Sequence, residues 1–543
     1  MVKLRKHQIE ACDAVPAFNK GIIVLPTGTG KNYIQAEILL RKIQDNLAKK
    51  LYPGAFVVCT PRILLTLQNL AIFAKYLSSH KVQAIYLNVN SGEFNSASID
   101  KEIAKCGLQV YEVTSTTNFI DIKHKYQWAF SNNMVLVVGS TYHSADKIQM
   151  AGIDVDIWNN DEAQYLVANN FNKITDFTAK NMYSFTATPK LTDDEENGKG
   201  MNNESMYGKV LFRKTPKEMI EAGEIVKPAI HLVGVKGSDC LTDLSYDYKS
   251  QWKSIESAFF MHKKALKEYS VCPEKIGAKM VVVCEGQRAL KGMFGDYKLH
   301  KGQCPELKSF REKHPEVKIY ALSTDFGIYI NGKHKERVDN GGKERFLEDM
   351  VNLKPEEDAI ILHVDMIAEG IDVPGITGVM PFRNLGRIKI LQNIGRSLRL
   401  TLEDREALYS GQIKPGDFAK YIKPYAWVIL PIFMSNSNDS AVRIKEIVRT
   451  MRSEYGFKSD ELVILNNRNT EEEFQDFDEV NEFNKEIRSK ESEIREFIHS
   501  LENEEEMEIM SDRFFQLNLL NDVEKAMVIM KIFGSQNILE EKV

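Results

Sequence analysis

No apolar run in this chain of 543 residues reaches the roughly 18 residues needed to span a bilayer, so no membrane partner is expected. The opening stretch MVKLRKHQIEACDAV lacks the apolar core of a secretory leader. Cysteine is sparse: seven are scattered along the chain, with no Cys-x-x-Cys pair. That argues against a zinc site or an iron–sulfur cluster, and for reduced thiols in an intracellular, cytoplasmic setting. Positive charge is not in excess. Lys and Arg total 71 against 76 Asp and Glu, a net charge of −5, so contact with a nucleic acid has to come from local basic surface. What is present is ordinary for a globular protein, with 43% hydrophobic and 27% charged residues. A chain of this length predicts about two to four domains.

Residues 21–32 read GIIVLPTGTGKN. Ile22 to Leu25 form a short buried-strand pattern that Pro26 ends. Gly28 and Gly30 permit positive φ and close backbone approach, and from Tyr33 the text turns helical. Strand, glycine loop and helix aim backbone N–H groups and a helix N-terminus at one anion. Thr27, Gly28, Thr29, Gly30, Lys31 and Asn32 would make the cradle, with Lys31 on the outer phosphates of a nucleoside triphosphate. Two positions depart from the strict pattern. Leu25 replaces a Gly that mainly shapes the turn. Asn32 replaces the Ser or Thr whose hydroxyl ligates Mg²⁺, and an amide oxygen binds that ion directly or through water, less well. The competing reading is a glycine turn joining a core strand to a helix.

Further buried-strand patterns occur at 55–60, 134–140, 153–160 and 182–185, separated by helical runs. This alternation predicts an α/β fold with a parallel sheet covered by helices on both faces. Ligands bind at the carboxyl rim of such sheets. There the text places Arg62, Ser140-Thr141, Asp161-Glu162-Ala163-Gln164 and Thr186-Ala187-Thr188. One carboxylate of the acidic pair can hold a Mg²⁺ shell while the next orients and deprotonates water; the alternative is an acidic turn. Gln8, ahead of the loop, could present its amide to an adenine edge or simply sit on a surface helix.

Residues 190–206 are polar and rich in Gly and Asn, which predicts a mobile surface loop. A hinge is expected near 223–230, around Pro228. A second alternating unit follows, with strands at 278–284, 318–324, 359–365 and 423–433. Asn331-Gly332 marks a hairpin turn within 327–338, whose Lys333, Lys335 and Arg337 could touch phosphates or simply face solvent. Gly370 and Asp372 lie in AEGIDVP after a strand. In QNIGRSLR, Gln392, Arg396 and Arg399 recur at i, i+4 and i+7, on one face of a helix. Two guanidinium forks on that face could reach a γ-phosphate held by the other unit when the two close. From about residue 436 the pattern is helical with acidic exposed faces, which disfavour phosphates. Packing against the rest of the chain is the expected role there, with partner binding or a lid as alternatives.

Together HQIEA, LPTGTGKN, CTPRILLTLQ, STYHSADKI, DEAQ, FTATPK and QNIGRSLR resemble the DEAD/DEAH-box superfamily two helicases. The nearer likeness is to the helicase part of restriction-type enzymes (type III and ISP) and their stand-alone phage or bacterial relatives. The resemblance covers roughly residues 1–435. It implies two tandem RecA-like P-loop domains, at 1–225 and 226–435, with a helical extension at 436–543. It implies ATP and Mg²⁺ in the cleft between them. Gln8 would read adenine and Asp161 and Asn32 would hold the metal. Glu162 would be the general base, and Gln164 would link the nucleotide to the facing domain. Gly370, Asp372 and Gln392 would line the nucleotide site, and Arg396 and Arg399 would complete it. Thr186 and Thr188 would couple hydrolysis to movement, with Arg62 and Thr141 near the nucleic acid backbone. The expected activity is nucleic-acid-dependent ATP hydrolysis driving translocation and strand separation, on DNA in preference to RNA, in the 3′→5′ direction. The alternatives are a duplex translocase that does not unwind and a nucleotide-dependent binding scaffold with weak ATPase. No nuclease domain fits ahead of the phosphate loop and no methylase motif follows. A lone motor, or a motor subunit with replication, recombination or restriction partners, is therefore expected.

Overall fold

The computed structural model describes residues 3–91, 96–235, 248–284, 286–295, 303–323, 326–335, 352–364, 375–382 and 387–433, with Phe346, Asp349, Met350 and Tyr455. The chain divides into two compact units, Met1–Asn436 and Ser437–Val543. Apart from Tyr455, the helical reading of 436–543 lies outside the described residues, as do Gly370, Asp372 and Arg337. Among the described residues no helix is long and apolar enough to cross a membrane.

The first unit contains two eight-stranded sheets. The first is built from β1 (Lys20–Val24), β2 (Ala55–Thr60), β3 (Ala84–Val89), β4 (Thr114–Ser115), β5 (Val135–Thr141), β6 (Ile157–Asp161), β7 (Asn181–Thr186) and β8 (Lys209–Arg213). Their order is β4-β3-β5-β2-β6-β7-β1-β8, with every pairing parallel. Parallel strands covered on both faces read as continuous apolar runs, which is how AFVVC and VLVV appear in the text. Phe56 and Val58 face one core with α1 (Lys6–Ala14), α2 (Lys31–Ala48), α3 (Ile63–Ser79) and α4 (Ala97–Lys105). Val57 and Cys59 face the other, with α5 (Phe119–Ser131) and α6 (Ala145–Ala151). Two short helices, α7 (Glu204–Tyr207) and α8 (Pro216–Glu221), flank β8.

The second sheet comprises β9 (Lys227–Val235), β10 (Lys279–Val283), β11 (Lys318–Ser323), β12 (Gly327–Ile330), β13 (Lys333–Lys335), β14 (Ala359–His363), β15 (Gly378–Pro381) and β16 (Tyr425–Phe433). Its order is β13-β12-β11-β14-β10-β15-β16-β9. The pairings are parallel except at β11–β12 and β12–β13. Asn331 and Gly332 form the expected hairpin turn, both at positive φ. Helices among the described residues include α9 (Tyr248–Tyr269), α10 (Gln287–Phe294), α11 (Pro305–Lys313), α12 (Arg387–Ser397) and α13 (Leu402–Tyr409). Two tandem RecA-like α/β domains result.

Two local expectations differ from the structure. Pro228 is not in a hinge: it opens β9 and pairs with Ala426. An edge strand tolerates the missing N–H. The loop at 190–206 is held by its own side chains. Asn202 Oδ1 accepts from Thr192 N, the Asn203 amide donates to the carbonyls of Glu196 and Gly198, and Met201 is buried.

Candidate nucleotide site

The phosphate loop follows β1. Gly28 and Gly30 sit at φ +86° and +80°, a region that L side chains enter at a cost. Gly30 caps α2, so the N-terminus of an 18-residue helix opens onto the loop. The loop is braced from behind by α1. Thr29 O accepts from Arg5 Nη2 and from Gln8 Nε2 at 3.1 Å, with His7 Nε2 at 3.0 Å. Gln8 Nε2 also donates to Gly30 O at 3.2 Å, while its Oε1 accepts from Arg5 N at 2.9 Å. Gln8 is therefore no surface polar residue. Both ends of its amide are used, and reading an adenine edge means exchanging one of these bonds. Thr29 Oγ1 closes the loop on Pro26 O at 2.7 Å. Lys31 is buried and its Nζ donates to Leu25 O at 3.2 Å, which holds the ammonium over the loop.

The acidic pair ends β6 beside the loop. Asp161 is buried. Its Oδ1 accepts from Gln35 Nε2 at 3.2 Å and its Oδ2 from Asn69 Nδ2 at 3.1 Å. Asn69 Oδ1 in turn accepts from Asn32 Nδ2 at 2.5 Å. Burial, and then the charge of Glu162, push the Asp161 carboxyl up to about 6, with Lys31 and Asn69 opposing. Glu162 lies at φ +54°, unusual for a residue with a side chain. Gln164 Nε2 donates to Glu162 Oε2 at 2.9 Å, and Gln164 Oε1 accepts from Thr186 Oγ1 at 2.6 Å. Thr188 N donates to Thr186 Oγ1 at 3.1 Å. Gln164, expected to link the nucleotide to the facing domain, is held here by its neighbours. Glu162 offers its amide an acceptor and Thr186 a donor within the first domain.

These residues fit a triphosphate with a divalent cation. Lys31 opposes the buried charge of Asp161, and Glu162 adds a second carboxylate beside it, a setting that favours a cation. Among the described residues no three His, Cys, Asp or Glu side chains converge. A cation here would rest on Asp161, the Asn32 oxygen, phosphate and water, the ligand set that suits Mg²⁺.

The second domain supplies the opposite wall. A Cβ added at Gly395 would lie 2.6 Å from Thr27 Cβ. One added at Gly28 would lie 3.2 Å from Arg399 Cγ and 3.3 Å from Gly395 O. The end of α12 therefore packs directly on the phosphate loop. Gln392 and Arg396 share that helix, as expected. Arg399 does not: α12 ends at Ser397, and Arg399 lies two residues beyond it. The carbonyls at and just beyond the helix end, which no further turn of helix would satisfy, are taken from outside. The buried Lys423 donates through Nζ to Ser397 O at 2.5 Å, Arg399 O at 2.6 Å and Ile376 O at 2.8 Å. Val226 N donates to Leu398 O at 2.8 Å. Asp404 accepts the backbone N–H groups of Ile422 and Lys423. The segment carrying Val226 is tied to the loop as well, since Glu224 pairs with Arg5 at 2.8 Å and lies 3.4 Å from His7 Nδ1.

Arg62 is exposed on the carboxyl rim beyond β2. Thr141 is buried, its hydroxyl donating to Ser144 Oγ at 3.3 Å. Sequence reasoning missed Arg5, His7, Gln35, Asn69, Glu224 and Lys423. A faint signal existed for Asn69: with Thr66 it makes an i, i+3 polar pair in the largely apolar first half of its helix, and both are fully buried.

Residues 1–191 match the family described as type III restriction enzyme, res subunit. No curated protein matches significantly. Among solved structures, the chain is similar to the ATP-dependent Type ISP restriction-modification enzyme LlaBIII bound to DNA. The TM-score is 0.53 at 17% identity, over 83% of this chain and 30% of that one. It also matches a nuclease-deletion mutant of the Type ISP enzyme LlaGI in complex with a DNA substrate mimic, with a TM-score of 0.32 at 20% identity, over 51% of this chain and 25% of that one. The likeness to LlaBIII is one of fold, and the chain spans 30% of that enzyme's length. Over residues 1–191 the resemblance read from the motifs is thus matched by the type III restriction enzyme res-subunit family, in a chain whose fold is one of tandem RecA-like domains.

Proposed function

We propose that the protein is an ATP-driven DNA motor, a nucleic-acid-dependent ATPase that translocates along DNA. The observation that carries this reading is the contact of Gly395 and Arg399 with Thr27 and Gly28. It puts an arginine of one domain against the phosphate loop of the other. Lys31 and the loop N–H groups hold the outer phosphates. A water oxygen attacks the γ-phosphorus, the bond to the bridging oxygen breaks, and Glu162 takes the water proton, giving ADP and phosphate. Arg396 and Arg399 stabilise the charge that develops. Asp161 and Asn32 would hold Mg²⁺, which would supply charge neutralisation at the phosphates. The Glu162–Gln164–Thr186 hydrogen bonds connect the base to the end of β7, a route by which hydrolysis can be felt at the carboxyl rim. Alternate grip by the two domains then moves the motor. Grip through phosphates means low sequence specificity and strong salt dependence.

The similar LlaBIII structure is bound to DNA, which favours DNA over RNA as the track. Strand separation and duplex tracking use the same motor. A strand-displacement assay run beside a triplex-displacement assay distinguishes them. The deciding experiment for the class is ATP hydrolysis measured in parallel with single-stranded, duplex and forked DNA and with RNA. We expect stimulation by DNA that Glu162→Gln abolishes. Hydrolysis indifferent to every nucleic acid would replace the motor with a nucleotide-dependent scaffold.

A further inference from the structure

We infer that Asn69 is a positioning residue that makes Asn32 a competent Mg²⁺ ligand, through a chain of amides anchored on Asp161. This rests on the nucleotide-site reading above and goes beyond it by assigning a role to a residue outside every motif. The chemistry fixes the direction of each amide. An ionised carboxylate only accepts hydrogen bonds. Asn69 must therefore turn its NH₂ to Asp161, as it does at 3.1 Å. Its oxygen then points the other way, and the side chain facing that oxygen must donate. Asn32 does so through Nδ2 at 2.5 Å. With its nitrogen committed, Asn32 has one polar atom left, Oδ1, the atom a hard cation takes. An asparagine amide on its own can present either end to the loop. The carboxylate, acting through Asn69, selects the oxygen.

The arrangement answers the departure at position 32. A hydroxyl both donates and accepts at one atom and needs no such selection. An amide has separate donor and acceptor ends, so it needs an orienting partner. Asn69 is fully buried, with its donor on Asp161 and its acceptor on Asn32. Gln35 completes the set by donating to the other Asp161 oxygen. Asp161, Asn69 and Asn32 thus form one acceptor-to-donor series that runs from the buried acid to the loop.

The test is a cycle of variants read by Mg²⁺-dependent binding of a fluorescent ADP, with the same ADP binding measured in EDTA. In the natural Asn32 background, Asn69→Ala should raise the Mg²⁺ concentration needed for half-maximal tightening about tenfold, the size of an outer-shell effect. Affinity in EDTA should stay within about twofold, because the phosphate cradle is untouched. In an Asn32→Thr background the same Asn69→Ala change should matter less, by roughly threefold or more in the ratio of the two effects, since a hydroxyl needs no orientation. Asn69→Leu, which keeps volume and removes both polar ends, repeats the test should the alanine variant melt early. An equal Mg²⁺ penalty in both backgrounds would overturn the inference, because Asn69 would then act through Asp161 alone. No penalty in either background would overturn it as well. If wild-type protein binds no ADP, the nucleotide site itself fails, and that result is distinct from both.

Discussion

The two walls of the nucleotide site are held in opposite ways. The wall in the first domain is braced by its immediate surroundings. The loop glycines and Lys31 follow β1, Asp161 ends β6 on the far side of β7 in the same parallel sheet, and Gln8, Gln35 and Asn69 brace them from helices on the same sheet face. The wall in the second domain is held from a distance. Three successive carbonyls at the end of α12 are taken by Lys423, which precedes the last strand, and by Val226 in the segment joining the domains. The first wall is built to keep a fixed shape. The second is a turn whose position depends on how the domains are joined. That difference suits the proposed motor, which must bind nucleotide with one wall and sense it with the other.

Predictions that remove the chemistry have the largest effects. Glu162→Gln should lower DNA-stimulated hydrolysis about a thousandfold, measured as phosphate release, with ADP affinity retained. Gly395→Ala tests the contact between the walls without touching a charge. Its Cβ would meet Thr27 at 2.6 Å, so the walls must part. Hydrolysis should fall roughly a hundredfold while equilibrium ADP binding stays near wild type. Equal hydrolysis in this variant would mean that the walls need not touch.

Lys423→Met addresses the remote support alone. It leaves the carbonyls of Ile376, Ser397 and Arg399 without their donor, which should cost about 2 kcal/mol in chemical denaturation and reduce turnover more than nucleotide affinity. A pH signature accompanies it. Burial pushes the Lys423 ammonium down from 10.5 to about 7. Between those values the unfolded chain holds the proton that the folded chain gives up, so this group's contribution is full above pH 10.5 and is lost as pH falls to about 7. The slope of stability against pH in that window should be shallower in Lys423→Met. The smallest expected effect lies beneath the first wall. Asn159, two residues before Asp161 on β6, is fully buried, and neither end of its amide has a hydrogen-bond partner among the described residues. Asn159→Val should raise stability by about 1 kcal/mol with little change in hydrolysis.

The same contrast explains what could be read from the text. The loop, the acidic pair and the arginine segment are contiguous, and each carries its chemical reason in neighbouring residues. The strands that supply them are buried on both faces and show as apolar runs. Less visible were β8, whose KVLFR is half exposed at a sheet edge, and β9, where Pro228 read as a break rather than an edge-strand residue. The end of α12 was misplaced by two residues at least. The groups that take the carbonyls there, Lys423 and Val226, come from elsewhere in the chain. Asn69, Glu224 and Lys423 have roles defined wholly by partners far away in sequence, and no spacing rule finds such residues.

One substitution tests the meeting of the walls most directly. Arg399→Ala removes the side chain that lies over Gly28 and leaves the loop, the acidic pair and α12 in place. Single-turnover ATP hydrolysis in saturating duplex DNA should fall about a thousandfold, the lower end of what such an arginine supplies, with fluorescent ADP bound as tightly as before. A rate within about twofold of wild type under those conditions would contradict the account.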